Sequence, residues 1–141
     1  MLRSKNTSGF TLLEIIIVVI IIGVLASLAL PRFFKTVEFS KGTEALSNLS
    51  TLRQSMQRCF LQTSDFTKCT LNGLDIEDPS TQANRRFEYT LSTLNTGDYV
   101  VKAIRNTTDG GSTDTSNYIQ LIVNTAGVVS KDGSGIYASI K

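Results

Sequence analysis

A carboxylate inside an aliphatic run is the residue in this chain whose position most plainly asks for a chemical partner. Glu14 precedes a stretch from Ile15 to Leu30 that holds no charged side chain and is interrupted only by Gly23 and Ser27. An unpaired carboxylate in such surroundings costs roughly 3 kcal/mol on insertion scales. No Lys or Arg follows until Arg32. Two readings stand side by side. Glu14 lies at an interface, snorkelling or protonated, or it meets a positive charge that the intact chain lacks nearby. Cleavage between Gly9 and Phe10 would create such a charge, the α-amine of Phe10. Within one helix that amine starts about 6 Å along the axis from Glu14. It more easily reaches the Glu14 of an axially shifted neighbour, so that a buried carboxylate would select docking register.

Other chemistry-bearing residues are sparse. The 141 residues contain no histidine and no tryptophan. That removes His-dependent triads, imidazole acid–base catalysis and His-containing zinc sites. Two cysteines, Cys59 and Cys69, cannot close a structural zinc site alone. No nucleophile–base pair presents itself, so neither an enzyme nor a cofactor is expected. Asp109-Gly-Gly-Ser-Thr-Asp114 offers two carboxylates, fewer ligands than an EF-hand supplies; a solvated loop is the plainer reading. Asn48-Leu49-Ser50 and Asn106-Thr107-Thr108 match the N-glycosylation pattern, the first in mid-helix. With 14 basic and 12 acidic residues the net charge is +2, and Arg85-Arg86 forms no dense basic stripe. No specific nucleic acid partner is expected.

The elements that must position Glu14 are legible from periodicity. From Phe10 the apolar segment is about 20 residues long, enough for a helix to cross a bilayer core. The segment before it, MLRSKNTSG, carries Arg3 and Lys5 and no acid. Arg32 and Lys35 nearly balance these on the far side. A cytoplasmic N-terminus therefore rests partly on the free amine and on the larger domain lying downstream. Two other readings fit the same segment. A secretory signal peptide would be cut near Ser27-Leu28-Ala29, although the apolar stretch is long and acid-containing for one. An unprocessed single-pass anchor would keep Met1.

Gly9-Phe10-Thr11-Leu12-Leu13-Glu14, with a short basic leader before it and an aliphatic helix after it, resembles the processing signal of the type IV pilin family. Gly23 within the helix and Pro31 just past the span also fit that pattern. The resemblance covers about the first 31 residues and is architectural beyond them. It implies that a prepilin peptidase cuts after Gly9 and methylates the Phe10 amine, and that Glu14 recruits and registers the incoming subunit through its amine. It further implies that Gly23 to Pro31 loosens when subunits pack. The local chemistry agrees, because Pro31 cannot donate to the Ser27 carbonyl and Gly23 is a poor helix former. Partners implied are identical subunits in a helical filament, the peptidase, the assembly machinery and the inner membrane before assembly. The mature filament would be extracellular, serving adhesion, motility or uptake. A pseudopilin of a secretion or competence system shares the leader, and a membrane-tethered binding module that never polymerises is the alternative from another class.

Downstream the period stays helical. Ala45, Leu49, Leu52, Met56 and Cys59 or Phe60 mark one apolar face, which Val37, Phe34 and Phe33 could extend. Gly42 predicts a bend. The element from Phe10 to about Leu61 would be roughly 78 Å long. Strands are expected over Phe87–Ser92, Tyr99–Arg105, Tyr118–Val123 and Val128–Lys131, with a polar loop over Asn106–Asn117 and a short last strand within Ile136–Ile140. The expected class is α+β, a long N-terminal helix on a small antiparallel sheet of three to four strands. The expected organisation is a leader 1–9, a membrane and filament-core helix 10–31, its amphipathic half 32–62, and a head 63–141. A disulfide between Cys59 and Cys69 is expected beyond the membrane, worth about 3 kcal/mol, with two free buried thiols as the alternative. The family more often closes a loop near the C-terminus, so its adhesive loop roles are not carried over.

Overall fold

The computed structural model describes residues 9–108, 111, 113–124 and 126–140. The chain divides into two compact units, Met1–Thr36 and Val37–Lys141. Helix α1, Leu12–Thr63, runs through the boundary as one element of 52 residues. It begins two residues later than the apolar run suggests. The reason is Thr11, whose Oγ1 accepts the Glu14 N–H at 3.2 Å, as an N-cap does. Phe10 therefore precedes the helix. The helix ends where Ser64 adopts φ +55, and the Ser64 N–H closes on the Phe60 carbonyl at 2.7 Å.

Every described residue of the first unit is exposed, including all the aliphatic side chains from Leu12 to Leu30. Phe33 and Phe34 stay 61% and 63% exposed and pack edge-on to one another. They do not join the buried stripe, contrary to the sequence expectation, which followed helical spacing without regard to what covers it. Pro31 lies inside the helix.

In the second unit the stripe is buried as expected: Ala45, Leu49, Leu52 and Met56 are fully enclosed. The cover is a four-stranded antiparallel sheet in the order β1-β2-β3-β4. Its strands are β1 (Phe87–Thr93), β2 (Tyr99–Asn106), β3 (Thr113–Val123) and β4 (Val129–Gly133). Alternation puts Phe87 and Tyr89, then Tyr99, Val101 and Ala103, then Ile119, Leu121 and Val123 on the helix side. Three short 3-10 turns, Phe66–Lys68, Leu71–Gly73 and Pro79–Thr81, connect α1 to β1.

The structure corrects two expectations in the sheet. Thr113 to Asn117 belong to β3 and not to the polar loop. A register shift after Ile104 pairs Arg105 with Asp114, so a polar sequence still pairs as strand. Nor is Ile136–Ile140 a strand. Gly135 takes φ +62, and Gly135–Tyr137 turn as a 3-10 helix that delivers Tyr137 into the core. That delivery explains Gly42. The helix carries glycine there because a Cβ would stand 2.9 Å from the Tyr137 ring and 3.4 Å from Ile119.

Candidate functional site

Gly9 and Phe10 lie ahead of the first helical residue, and Phe10 is 79% exposed. The remainder of the expected leader, residues 1–8, lies outside the described residues. Glu14 occupies the third helical position after the Thr11 cap, where a carboxylate faces the positive end of the helix dipole. Among the described residues its carboxylate has neither a hydrogen bond nor an ion pair. Around it Leu12, Leu13, Ile15, Ile16 and Ile17 are all about half exposed or more.

Gly23 and Pro31 bracket the next stretch. A Cβ at Gly23 would meet nothing within 4 Å, so no contact within this chain requires glycine there. Pro31 leaves the Ser27 carbonyl without its usual amide donor, while Ser27 turns its own hydroxyl back to the Val24 carbonyl at 2.7 Å. These features lower the helical preference of that stretch without breaking the helix.

Cys59 and Cys69 are joined as a disulfide with Cα atoms 6.0 Å apart, fastening the first connecting turn to the end of α1. Phe66, carried by that turn, stacks on Phe60 at 4.4 Å and meets Tyr99 at 4.5 Å. Burial pushes the Tyr99 hydroxyl up to about 12.

Polar anchoring of the head was not foreseen from the sequence. Glu38, on α1, takes hydrogen bonds from Arg105 at 3.2 Å, from Lys41 at 2.6 Å and from the Tyr137 hydroxyl at 3.4 Å. Partial burial raises the Glu38 carboxyl, but Arg105 and Lys41 outweigh it and hold it below its usual range. Arg105 also donates to the carbonyls of Arg86 and Asn106, each at 2.9 Å. Its inward position in the strand alternation was the one signal that could have found it. Asn48 donates to the Tyr89 hydroxyl at 2.8 Å. Asp75 takes a fork from Arg58 and a short hydrogen bond from the buried hydroxyl of Ser55. Arg58 first and Ser55 second lower its carboxyl from 3.8 to about 2.

Two minor expectations change character. Asp114 spends its carboxylate on its own strand end, accepting from the Ser116 amide and hydroxyl and from the Asn117 amide group. Asp109, the other half of that candidate loop, lies outside the described residues. Asn106 is 1% exposed and its side-chain amide donates to the Arg85 carbonyl at 2.9 Å, so the folded chain does not present it for glycosylation.

Gly9 and Phe10 thus stand just ahead of a capped apolar helix with an unpartnered carboxylate in its first turn, and a sheet covers the second half of that helix. Residues 4–30 match the family described as the prokaryotic N-terminal methylation motif. The chain is 47% identical over 62 residues to the type IV major pilin protein PilA of Myxococcus xanthus, covering 44% of this chain and 28% of that protein. It is 41% identical over 75 residues to a probable minor fimbrial protein of Dichelobacter nodosus, covering 53% and 45%. It is 32% identical over 74 residues to the type II secretion system core protein G of Aeromonas hydrophila, covering 52% and 51%. The chain thus spans between about a quarter and a half of the length of these relatives. No solved structure matches it. Over its N-terminal part the chain is thus similar to type IV pilins, to a fimbrial protein and to a secretion-system core protein.

Proposed function

We infer that this protein is a structural subunit that polymerises through its apolar N-terminal helix into a type IV pilus. One observation carries the reading: Glu14 stands without a partner among the described residues, on a helix whose aliphatic side chains nothing in the chain covers. Prepilin peptidase cuts after Gly9 and methylates the Phe10 amine. The subunit waits in the inner membrane with its N-terminus cytoplasmic and its head on the other side, where the Cys59–Cys69 bond forms. On assembly the amine of Phe10 meets the Glu14 of a neighbour. The helices between Phe10 and Pro31 exchange lipid for one another, and the Gly23–Pro31 stretch yields to let them pack. Both charges leave water together, so pairing offsets the roughly 3 kcal/mol each subunit would otherwise carry. Removal of residues 1–9, a core segment 10–31, an amphipathic segment 32–62 and a head 63–141 are the working parts of this reading.

A second reading has its own support in the match to a secretion-system core protein. A pseudopilin would share the leader and helix and differ in where its polymer stands. Mass analysis of the mature N-terminus tests the common step: a chain beginning at a methylated Phe10 supports it, whereas a chain beginning at Met1 or Leu30 overturns it. Electron microscopy of surface fibres, with identification of their subunit, separates pilus from pseudopilus.

A further inference from the structure

Beyond Leu30 and Pro31 the aliphatic run of α1 gives way to one turn of different character, Arg32-Phe33-Phe34-Lys35. Successive side chains on an α-helix are set about 100° apart, so these four encircle the axis at one level. All four are exposed. Phe33 and Phe34 meet edge-on, with ring centroids 6.1 Å apart. Among the described residues neither Arg32 nor Lys35 has a side-chain hydrogen bond or an ion pair. From Ile15 to Val37 the sequence holds no acid that could serve them as counter-ion. Glu38, the next acid, is engaged by Arg105 and Lys41. The turn thus carries two positive charges and two large rings that no described residue satisfies.

Depth decides what does. Glu14 and Arg32 are the charged residues at the two ends of the uncharged run. They lie about 27 Å apart along a helix axis, and the hydrocarbon core of a bilayer is about 30 Å thick. With Glu14 at one boundary, Arg32 to Lys35 stand at the opposite one. Phosphate groups line the leaflet there, and aromatic rings are favoured at that level. A cation so placed gains from anionic lipid, while its methylene stem and the neighbouring rings stay against acyl chains. A soluble anion would satisfy the charges and leave the rings in water.

We propose that Arg32 and Lys35, framed by Phe33 and Phe34, form a collar that binds the phosphate groups of anionic phospholipid on the head side of the membrane. The collar sets the depth at which the subunit waits before assembly. This rests on the membrane-spanning reading of residues 10–31 and adds to it a lipid class and the residues that select it.

Competitive quenching by brominated lipid tests it. The chain has no tryptophan, so Phe34→Trp places a single reporter inside the collar. The full-length variant is reconstituted in phosphatidylcholine vesicles with increasing fractions of brominated phosphatidylglycerol. A matched series uses brominated phosphatidylcholine instead. At equal mole fraction, phosphatidylglycerol should be favoured several-fold beside the reporter. Adding Arg32→Gln and Lys35→Gln should bring the two series together. Equal quenching by both lipids in the Phe34→Trp chain overturns the collar, and so does a preference that survives the double glutamine change. A preference abolished by inorganic phosphate, but not by chloride at the same ionic strength, overturns it in favour of a free-anion site. A preference that fades as protein is diluted in lipid overturns it in favour of carboxylates from a second copy. Quenching by neither lipid overturns the membrane-spanning reading, and the collar with it. If Phe34→Trp does not reconstitute, Leu30→Trp, one turn earlier, is the reporter and the same outcomes decide.

Discussion

At the residue scale the two most informative positions are Glu14 and Gly42, and they differ in where their partner lies. Glu14 follows the Thr11 cap by three residues, the spacing at which Glu or Gln completes a helix start. A local role therefore competes with the intermolecular one, and charge separates them. Glu14→Gln keeps the capping geometry and removes the charge, whereas Glu14→Ala removes both. We expect both variants to insert in the membrane and neither to form filaments at normal yield, as counted by microscopy of sheared fractions. Normal assembly of Glu14→Gln would leave only the cap. Processing has a parallel test. Gly9→Ala should still be cut to some extent, while Gly9→Leu should accumulate uncut precursor on a gel. At Gly42 two effects of opposite sign compete. Alanine improves helix propensity by about 1 kcal/mol. Its Cβ would also stand 2.9 Å from a Tyr137 ring that is fully enclosed and has nowhere to go. Overpacking of this kind costs about 1–3 kcal/mol, so Gly42→Ala should lower the thermal midpoint of the head. A rise would mean that Tyr137 yields freely.

At the element scale the segment between α1 and β1 is held by few groups, each addressable. Closing it with Cys59–Cys69 is worth about 3 kcal/mol on the chain-entropy model. Reduction, or paired Cys→Ser substitution, should shift the urea midpoint accordingly and release the Phe66 turn first, seen as faster amide exchange there. Asp75 holds the same segment electrostatically. Its carboxyl is lowered in the folded chain from 3.8 to about 2, with Arg58 the largest cause. The contribution is thus fully present above the ordinary value of 3.8 and lost as the pH falls through about 2. Amide protection between Leu71 and Asp78 should decline over that window, and Asp75→Asn should flatten the decline. Other elements were legible in differing degree. The helix and the strands β1 and β2 follow from a period of 3.6 or 2, and β4 only from the turn-type residues that precede it. The first residues of β3 are polar throughout, and only pairing beyond the register shift makes them strand. The final 3-10 turn was misread as a strand because apolar Ile136, Ala138 and Ile140 recur at every second residue, a spacing that does not by itself decide between the two.

At the scale of the whole molecule the two units have opposite surface economies. Described residues of the first unit bury nothing within the chain, while the second builds a complete core around Leu49, Leu52, Met56 and Tyr99. Core and assembly substitutions should therefore separate cleanly. Leu49→Ala should destabilise the head by about 2–5 kcal/mol. Ile17→Ala, in the exposed run, should leave the thermal midpoint of the detergent-solubilised subunit unchanged and weaken the filament. Coupled losses in both measurements for Ile17→Ala would contradict this division. The ion pair of Glu38 with Arg105 belongs to the head by the same reasoning. It joins the helix to β2 with partial exposure, so Glu38→Gln should cost about 1–2 kcal/mol and change the chain's stability without altering processing at Gly9.

The N-terminal motif from Gly9 to Glu14 is legible in residue types alone, because a short motif ahead of an apolar run needs no tertiary contact to be read. The helix face and most of the sheet were fixed likewise by local period. What the tertiary structure decided were the partners that sequence spacing does not relate: Arg105 with Glu38, Asn48 with Tyr89, and Tyr137 on Gly42. Each joins positions tens of residues apart through an inward-facing side chain, and such meetings depend on which strands pair and in what register.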